Sequence, residues 1–418
     1  MTQCETERRR GQSVLRPNIR LLCSLGLWQP AGSALFHAYT AAVLAVGVAH
    51  LAVASVGLWL RPGGLAEVTL GLANLFVILT ALTKSALLLS RRPLFYALVR
   101  RVDQLAAEQQ VFCDRDSSLL QLSRRSQARA TRLTLFLHWY VLFALLSWAV
   151  IPLLAPPGER LWPFQQLPLE PWGRSPLYEC SYALQCVGTA YFSLINMDTD
   201  CFFMAVMAHV SVQFRILASR FADLNTVEAM VAESKPSTVR EVSSQIRLGH
   251  DVVHRQLRAC VQTHQKLLSL VRYLNIVMSP MAMMQLAVGA INTCMVLFPA
   301  TYSEDDAAVM KCWGALPLIA TQVFLYCSGA QHLMDQVVLA WRNRVVCAQA
   351  EAVSTAAYSC GWPESSCQLR RSLLLVICRA QRPLALTAGR MFLINRATFL
   401  SVGGGGIVFC LTAGFVMG

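Results

Sequence analysis

The chain has 418 residues, of which 55% are hydrophobic and only 14% charged, with a mean hydropathy of +0.46 and a formal net charge of +13. Soluble domains are about a quarter charged, so this composition excludes a string of soluble domains and indicates a polytopic membrane protein. The positive balance then concerns the two sides of a membrane, not nucleic acid.

In chain order, residues 1–33 form an N-terminal segment that opens MTQCETERRRGQSV and lacks the apolar run of a signal peptide. The first hydrophobic segment is therefore predicted to be both anchor and targeting signal. Seven segments are apolar and long enough to cross a hydrocarbon core of about 30 Å, which takes ~20 helical residues. They run over 34–60, 65–90, 133–155, 177–210, 273–300, 307–330 and 384–416. The predicted class is an all-α membrane protein of seven transmembrane helices. Lys and Arg orient it: the N-terminal segment and the second, fourth and sixth connections hold 28 of them, and the opposite side has only Arg61, Arg160, Arg174 and Lys311. That asymmetry places the N-terminus in the cytoplasm.

The cytoplasmic connections are the long ones and carry helical stripes. Leu94, Leu98, Val102 and Leu105 form one, Phe214, Leu217, Phe221 and Leu224 a second, and Val253, Leu257, Val261 and Leu268 a third. The spans are thus expected to continue into a cytoplasmic helical bundle, joined by a basic anchor helix over 365–382 (SSCQLRRSLLLVICRAQR) that Pro383 stops. On the opposite side, residues 156–176 carry six prolines with Trp162, Phe164 and Trp172. Such a segment folds back either as a lid over a pocket or as aromatic anchoring at the headgroups. The chain then divides into residues 1–33, a six-helix bundle with its extensions over 34–382, and a last span over 383–418.

Charges inside spans are functional suspects. Asp198, Asp200 and Lys84 fall about 30 Å down their helices at 1.5 Å per residue, which places them at the inner interface, with Lys84 snorkelling to water. His250 and His254 make an i,i+4 pair, but HDVVH is not HExxH, and a solvated pair is expected. The 15 cysteines form no CxxC pair, and most act as small hydrophobes within spans. No nucleophile elbow, P-loop or paired carboxylates occur, so neither an enzyme nor a cofactor is expected. The outer halves of the spans remain as a binding region: Phe76 and Thr80 on the second, Phe143, Ser147, Trp148 and Ile151 on the third, Tyr191 and Ile195 on the fourth. Apolar walls with a few hydroxyls suit a small, weakly polar ligand, and the same residues equally suit ordinary interhelical packing.

Three motifs in order carry a family resemblance. Arg16-Pro-Asn-Ile-Arg-Leu-Leu-Cys-Ser-Leu-Gly-Leu-Trp28 lies near the start, and Val323-Phe-Leu-Tyr-Cys-Ser-Gly329 precedes Ala352-Val-Ser-Thr-Ala-Ala-Tyr358 with Trp362. Pro383-Leu-Ala-Leu-Thr-Ala-Gly-Arg390 leads into Thr398-Phe399. Together they resemble the insect odorant receptors, which implies a seven-helix subunit of a ligand-gated cation channel in the plasma membrane of a sensory-neuron dendrite. The resemblance further implies a heterotetramer with the odorant coreceptor and a small volatile odorant bound in the outer half of the bundle. It implies a pore lined by the last span, through Thr398, Phe399, Val402, Val408 and Leu411; that the chain ends inside this span agrees with such a role. Gustatory receptors share the architecture. A G-protein-coupled receptor would need an external N-terminus, and neither a DRY-like triplet nor NPxxY is present. A transporter would need matching broken helices in two halves. The chain departs from the family by about a dozen extra residues between Gln336 and Glu351, and by Gly403–Gly406, a run that costs a helix on the order of 3–4 kcal/mol relative to alanine.

Overall fold

A computed structural model describes residues 13–28, 34–60, 64–114, 116–150, 152, 162–164, 175–233, 239–302, 306–349 and 386–401, and the structural statements below concern these. In hydrocarbon every backbone N–H and C=O must be satisfied within its own segment, which leaves the helix as the form open to long apolar runs. The helices are α1 (Arg16–Ser24), α2 (Ala34–Leu60), α3 (Leu65–Ser90), α4 (Arg92–Cys113), α5 (Ser117–Val150), α6 (Leu177–Glu233), α7 (Val239–Tyr302) and α8 (Asp306–Gln349), followed by the two-residue strands β1 (Thr387–Ala388) and β2 (Phe392–Leu393). Six helices among the described residues are long and apolar enough to cross a membrane, and they coincide with the first six expected segments. α6 is 57 residues long and α7 64, which at 1.5 Å per residue gives roughly 85 and 95 Å, far beyond a bilayer core. The spans therefore continue as helices past the membrane.

α6 is the spine of the bundle. Its membrane window is 83% buried, against 17–44% for the other five spans. Phe202, Phe203, Val206, Val210, Phe214 and Leu217 form one apolar stripe inside the main core, and polar residues such as Asn196, Asp198 and Asp200 are buried on α6 as well. α2 is built the opposite way. It buries Thr40, Gly47, His50, Ala54 and Gly57, while Val46, Val48, Val53, Val56 and Trp59 point outward. Small residues on the packed face let helices approach closely where lipid supplies no hydrophobic drive. At Gly47 a Cβ would stand 2.7 Å from both Leu82 and Phe192, so any larger residue would force those side chains to move.

Two elements depart from the sequence expectation. The N-terminal segment contains α1, whose Ile19 and Leu22 pack into the main core with Leu15, Leu25 and Trp28. Trp28 sits edge-on to Tyr96 at 4.7 Å, and Ser13 Oγ and the Val14 N–H donate to Asp103 Oδ1 at 3.1 and 3.2 Å. Burial pushes the Asp103 carboxyl above the ordinary carboxylate range, and these two hydrogen bonds hold it partly back. The last segment is not helical over 386–395. Thr387 pairs with Leu393 and Ala388 with Phe392 in an antiparallel hairpin, whose turn residues Gly389 and Arg390 have φ of 59° and 62°. Those left-handed conformations cannot continue a right-handed helix. Helix resumes only at 396–401, capped by Asn395, whose Oδ1 accepts the Thr398 N–H at 2.8 Å.

The cytoplasmic stripes are real for α4, where Leu98, Val102 and Leu105 are buried, and for α6, where Phe214 and Leu217 are; the side chains of Phe221 and Leu224 lie outside the described residues. Of the third stripe, Leu268 packs against the main core and Val261 is half-buried, while the side chains of Val253 and Leu257 lie outside the described residues. The fully buried face of α7 runs through Cys260, His264, Leu267, Val271 and Leu274. His264 sits edge-on to Phe214 at 6.3 Å, so a histidine stands where the pattern was sought among aliphatics. The 365–382 anchor helix and the Gly403–Gly406 run lie outside the described residues.

Candidate functional site

Five spans each contribute one helical stripe to a cavity of about 110 Å³. α3 supplies Leu70, Ala73, Asn74, Val77 and Thr80; α5 supplies Val141, Ala144, Leu145 and Trp148; α6 supplies Thr189, Ser193 and Asn196. α7 adds Gln285, Val288, Gly289, Asn292 and Val296, and α8 adds Ala315, Leu318, Ile319 and Gln322. In every case the spacing is i, i+3 or i+4, i+7, the face that one helix shows to a common axis. Phe164, from the proline-rich connection, also lines the cavity and stacks on Trp148 at 5.8 Å, while Trp162 is buried against Tyr178 at 5.0 Å. The described part of that connection thus folds back over the cavity, the first of the two roles that the sequence left open.

The wall carries the expected few hydroxyls, Thr80, Thr189 and Ser193, and adds amides that the sequence reading did not single out. Five carboxamides face this space: Asn74, Asn196, Gln285, Asn292 and Gln322. Asn196 Nδ2 donates to the Val77 carbonyl at 2.9 Å, and Gln285 Nε2 to Gln322 Oε1 at 3.0 Å. Asn74 Nδ2, Thr189 Oγ1, Asn196 Oδ1, Gln285 Oε1 and Asn292 Oδ1 are buried with no hydrogen-bond partner among the described residues.

Of the eight residues proposed from sequence to meet a ligand, Thr80 and Trp148 line the cavity. Phe143 is 70% exposed on the outer face of α5, and Ser147, also exposed, donates its hydroxyl to the Phe143 carbonyl. Both lie off the Val141–Ala144–Trp148 stripe, on the side of α5 that faces away from the bundle. Tyr191 donates to the Leu25 carbonyl at 2.6 Å, Ile195 is in the main core, and Phe76 is half-buried outside the cavity lining. Ile151 lies outside the described residues. The signal that finds the site is the uncharged amide inside an apolar span, which a search for charges passes over.

Below Asn196 lies a buried charge cluster. Lys84 Nζ is 2.5 Å from Asp200 Oδ1 with both side chains fully buried, and Tyr326 Oη donates to the same oxygen at 2.9 Å. Lys84 Nζ also lies 3.4 Å from the Asn196 carbonyl, and His138 Nδ1 lies 3.2 Å from Asp198 Oδ1. The expectation that Lys84 snorkels and that the two aspartates reach the interface is corrected. α6 is surrounded on all sides at this level, so the acids meet a partner on α3, α5 or α8 instead of water. Of the residues assigned to a pore, Thr398 donates its hydroxyl to the Leu393 carbonyl, and Phe399 packs edge-on to Phe324 of α8 at 5.5 Å. Val402, Val408 and Leu411 lie outside the described residues.

With this geometry in hand, a family profile described as 7tm Odorant receptor matches residues 65–405. The chain belongs to that odorant receptor family. The curated relatives agree: odorant receptor Or2 of Anopheles gambiae is 21% identical over 52% of this chain and 51% of its own length, and odorant receptor 10 of Aedes albopictus 22% identical over 55% and 53%. The chain thus spans about half the length of the curated relatives it matches. The fold is that of the insect olfactory receptor OR5 from Machilis hrabei, with a TM-score of 0.71 at 15% identity over 95% of this chain and 96% of that one. The same protein in complex with eugenol superposes equally well, over 96% and 97%. The family is one of receptors in the membrane, not of enzymes, and this odorant receptor is a multi-pass membrane protein.

Proposed function

We propose that this chain is the odorant-binding subunit of a ligand-gated cation channel, in which a small volatile molecule enters the cavity between α3, α5, α6, α7 and α8. The single observation that carries the reading is that cavity, closed over by Phe164 and formed by five spans at once. Occupancy there bears on the packing of all five helices, and a ligand shifts a channel only through such differential contacts with its states. In OR5 a complex with eugenol is known; the shared fold supports a ligand in this chain as well.

The family resemblance supports assembly with the odorant coreceptor, and a pore made by the final segments through residues such as Thr398, Phe399, Val402, Val408 and Leu411. Cells expressing this chain alone are expected to show no odorant-evoked current, and cells expressing it with the coreceptor a cation current in response to a panel of small volatiles. A response that survives without the coreceptor and requires a G protein would end the channel reading.

The distribution of Lys and Arg supports a cytoplasmic N-terminus. An epitope placed before Ser13 is expected to bind antibody only after cells are permeabilised. Staining of intact cells would reverse the topology.

A further inference from the structure

We propose that the cavity selects compact molecules bearing a hydroxyl group, and that Asn196, Asn292 and Thr189 supply the selectivity; this rests on the reading of the cavity as the odorant site. Size sets the first limit. An apolar cavity of about 150 Å³ accommodates benzene and stays dry, so about 110 Å³ holds a body no larger than a small ring or a short chain. Eugenol, with about twice the non-hydrogen atoms of benzene, exceeds it.

Polarity sets the second limit. Thr189, Asn196 and Asn292 are each at least nine-tenths buried, line the cavity, and hold an oxygen without a partner among the described residues. The sense of Asn196 is fixed by its neighbour: the Val77 carbonyl accepts only from N–H, so the nitrogen is committed there and Oδ1 is the acceptor left facing the cavity. That oxygen calls for a donor on the ligand. The Asn292 amide offers an acceptor in one orientation and a donor in the other, and the Thr189 hydroxyl serves in either sense. A hydroxyl is the smallest ligand group that can answer all three, because it both donates and accepts. A carbonyl can only accept and leaves Asn196 Oδ1 unmet. A hydrocarbon displaces water from all three and replaces none of its hydrogen bonds, which weakens binding. Trp148, Phe164 and the aliphatic stripe of α8 are left to hold the carbon skeleton.

The test uses a matched series, cyclopentanol, cyclopentanone and methylcyclopentane, which share a ring and a size and differ in one group. Phenol and toluene form a second matched pair. Currents are recorded from the full chain with its coreceptor, normalised to surface protein, alongside a panel of larger volatiles that includes eugenol. The alcohol is expected to be at least about tenfold more potent than the hydrocarbon, with the ketone between them. Asn292→Leu and Thr189→Val preserve shape and remove one polar group each. Either is expected to bring alcohol and hydrocarbon to within about threefold of each other, by weakening the alcohol and leaving the hydrocarbon as potent as before or more so. Equal potency of alcohol and hydrocarbon in the unaltered protein would overturn the proposal, as would full selectivity in both variants at normal surface levels. Currents evoked only by larger volatiles would overturn the size limit while leaving the receptor reading intact. Silence to every volatile, with the complex at the surface, would overturn the receptor reading itself and the selectivity with it.

Discussion

Replacing Lys84 with methionine is expected to strip the protein from the cell surface. Lys84 and Asp200 are both fully buried and 2.5 Å apart, and Asp200 Oδ1 also accepts from Tyr326. Removing one partner of a buried ion pair typically costs about 3–5 kcal/mol, because the remaining charge stays in a medium that cannot solvate it. Against a total stability of about 5–15 kcal/mol, such a loss removes a large share of what holds the protein folded. Lys84→Met with Asp200→Leu removes both charges, and well-packed apolar replacements of a buried pair are often neutral or stabilising. Surface biotinylation should therefore show a severe loss for Lys84→Met and substantial recovery for the double variant. Normal surface levels of Lys84→Met would mean that Asp200 reaches water or another cation, contrary to the geometry described.

This cluster does more than hold charge. Asn196, Asp198 and Asp200 occupy every second position along one stretch of α6, and each meets a different neighbour: Asn196 the Val77 carbonyl of α3, Asp198 His138 of α5, and Asp200 Lys84 of α3 and Tyr326 of α8. These polar contacts tie α3, α5 and α8 to the spine next to the cavity that the same helices line.

Much of the fold was legible because lipid enforces a simple rule. Uncharged runs of ~20 residues must be helices there, and the six described spans fall where the runs do. α1 was hidden because RPNIRLLCS is short and basic, and its burial depends on a surface formed by α5 and α6 far along the chain. The hairpin at 387–393 was hidden for another reason: Leu386–Leu393 reads as an apolar approach to a span, and only the left-handed Gly389 and Arg390 turn it back. In the site, Thr80 and Trp148 were found because a hydroxyl and an indole stand out in an apolar helix. Phe143 and Ser147 stand out equally, yet they lie on the opposite face of α5, and one helix in isolation does not show which face is inward. The charges Asp198, Asp200 and Lys84 were visible, but each helix gave only a depth. Their pairing depends on α3 and α6 being level, which no single segment records.

The cavity is the centre of this account, and filling it tests the account most directly. Ala144 on α5 and Ser193 on α6 line it from different helices, and neither is fully buried. Ala144→Phe or Ser193→Phe adds about one benzene ring to a space of about 110 Å³, smaller than the ~150 Å³ cavity that holds benzene. The measurement is the concentration dependence of cyclopentanol-evoked current from each variant with the coreceptor, with surface protein and standing current as the checks on assembly. The account predicts loss of the response, or at least about a thirtyfold rise in the half-maximal concentration, in both variants at normal surface levels. An unchanged concentration dependence in both variants would place the odorant elsewhere in the complex and contradict the account.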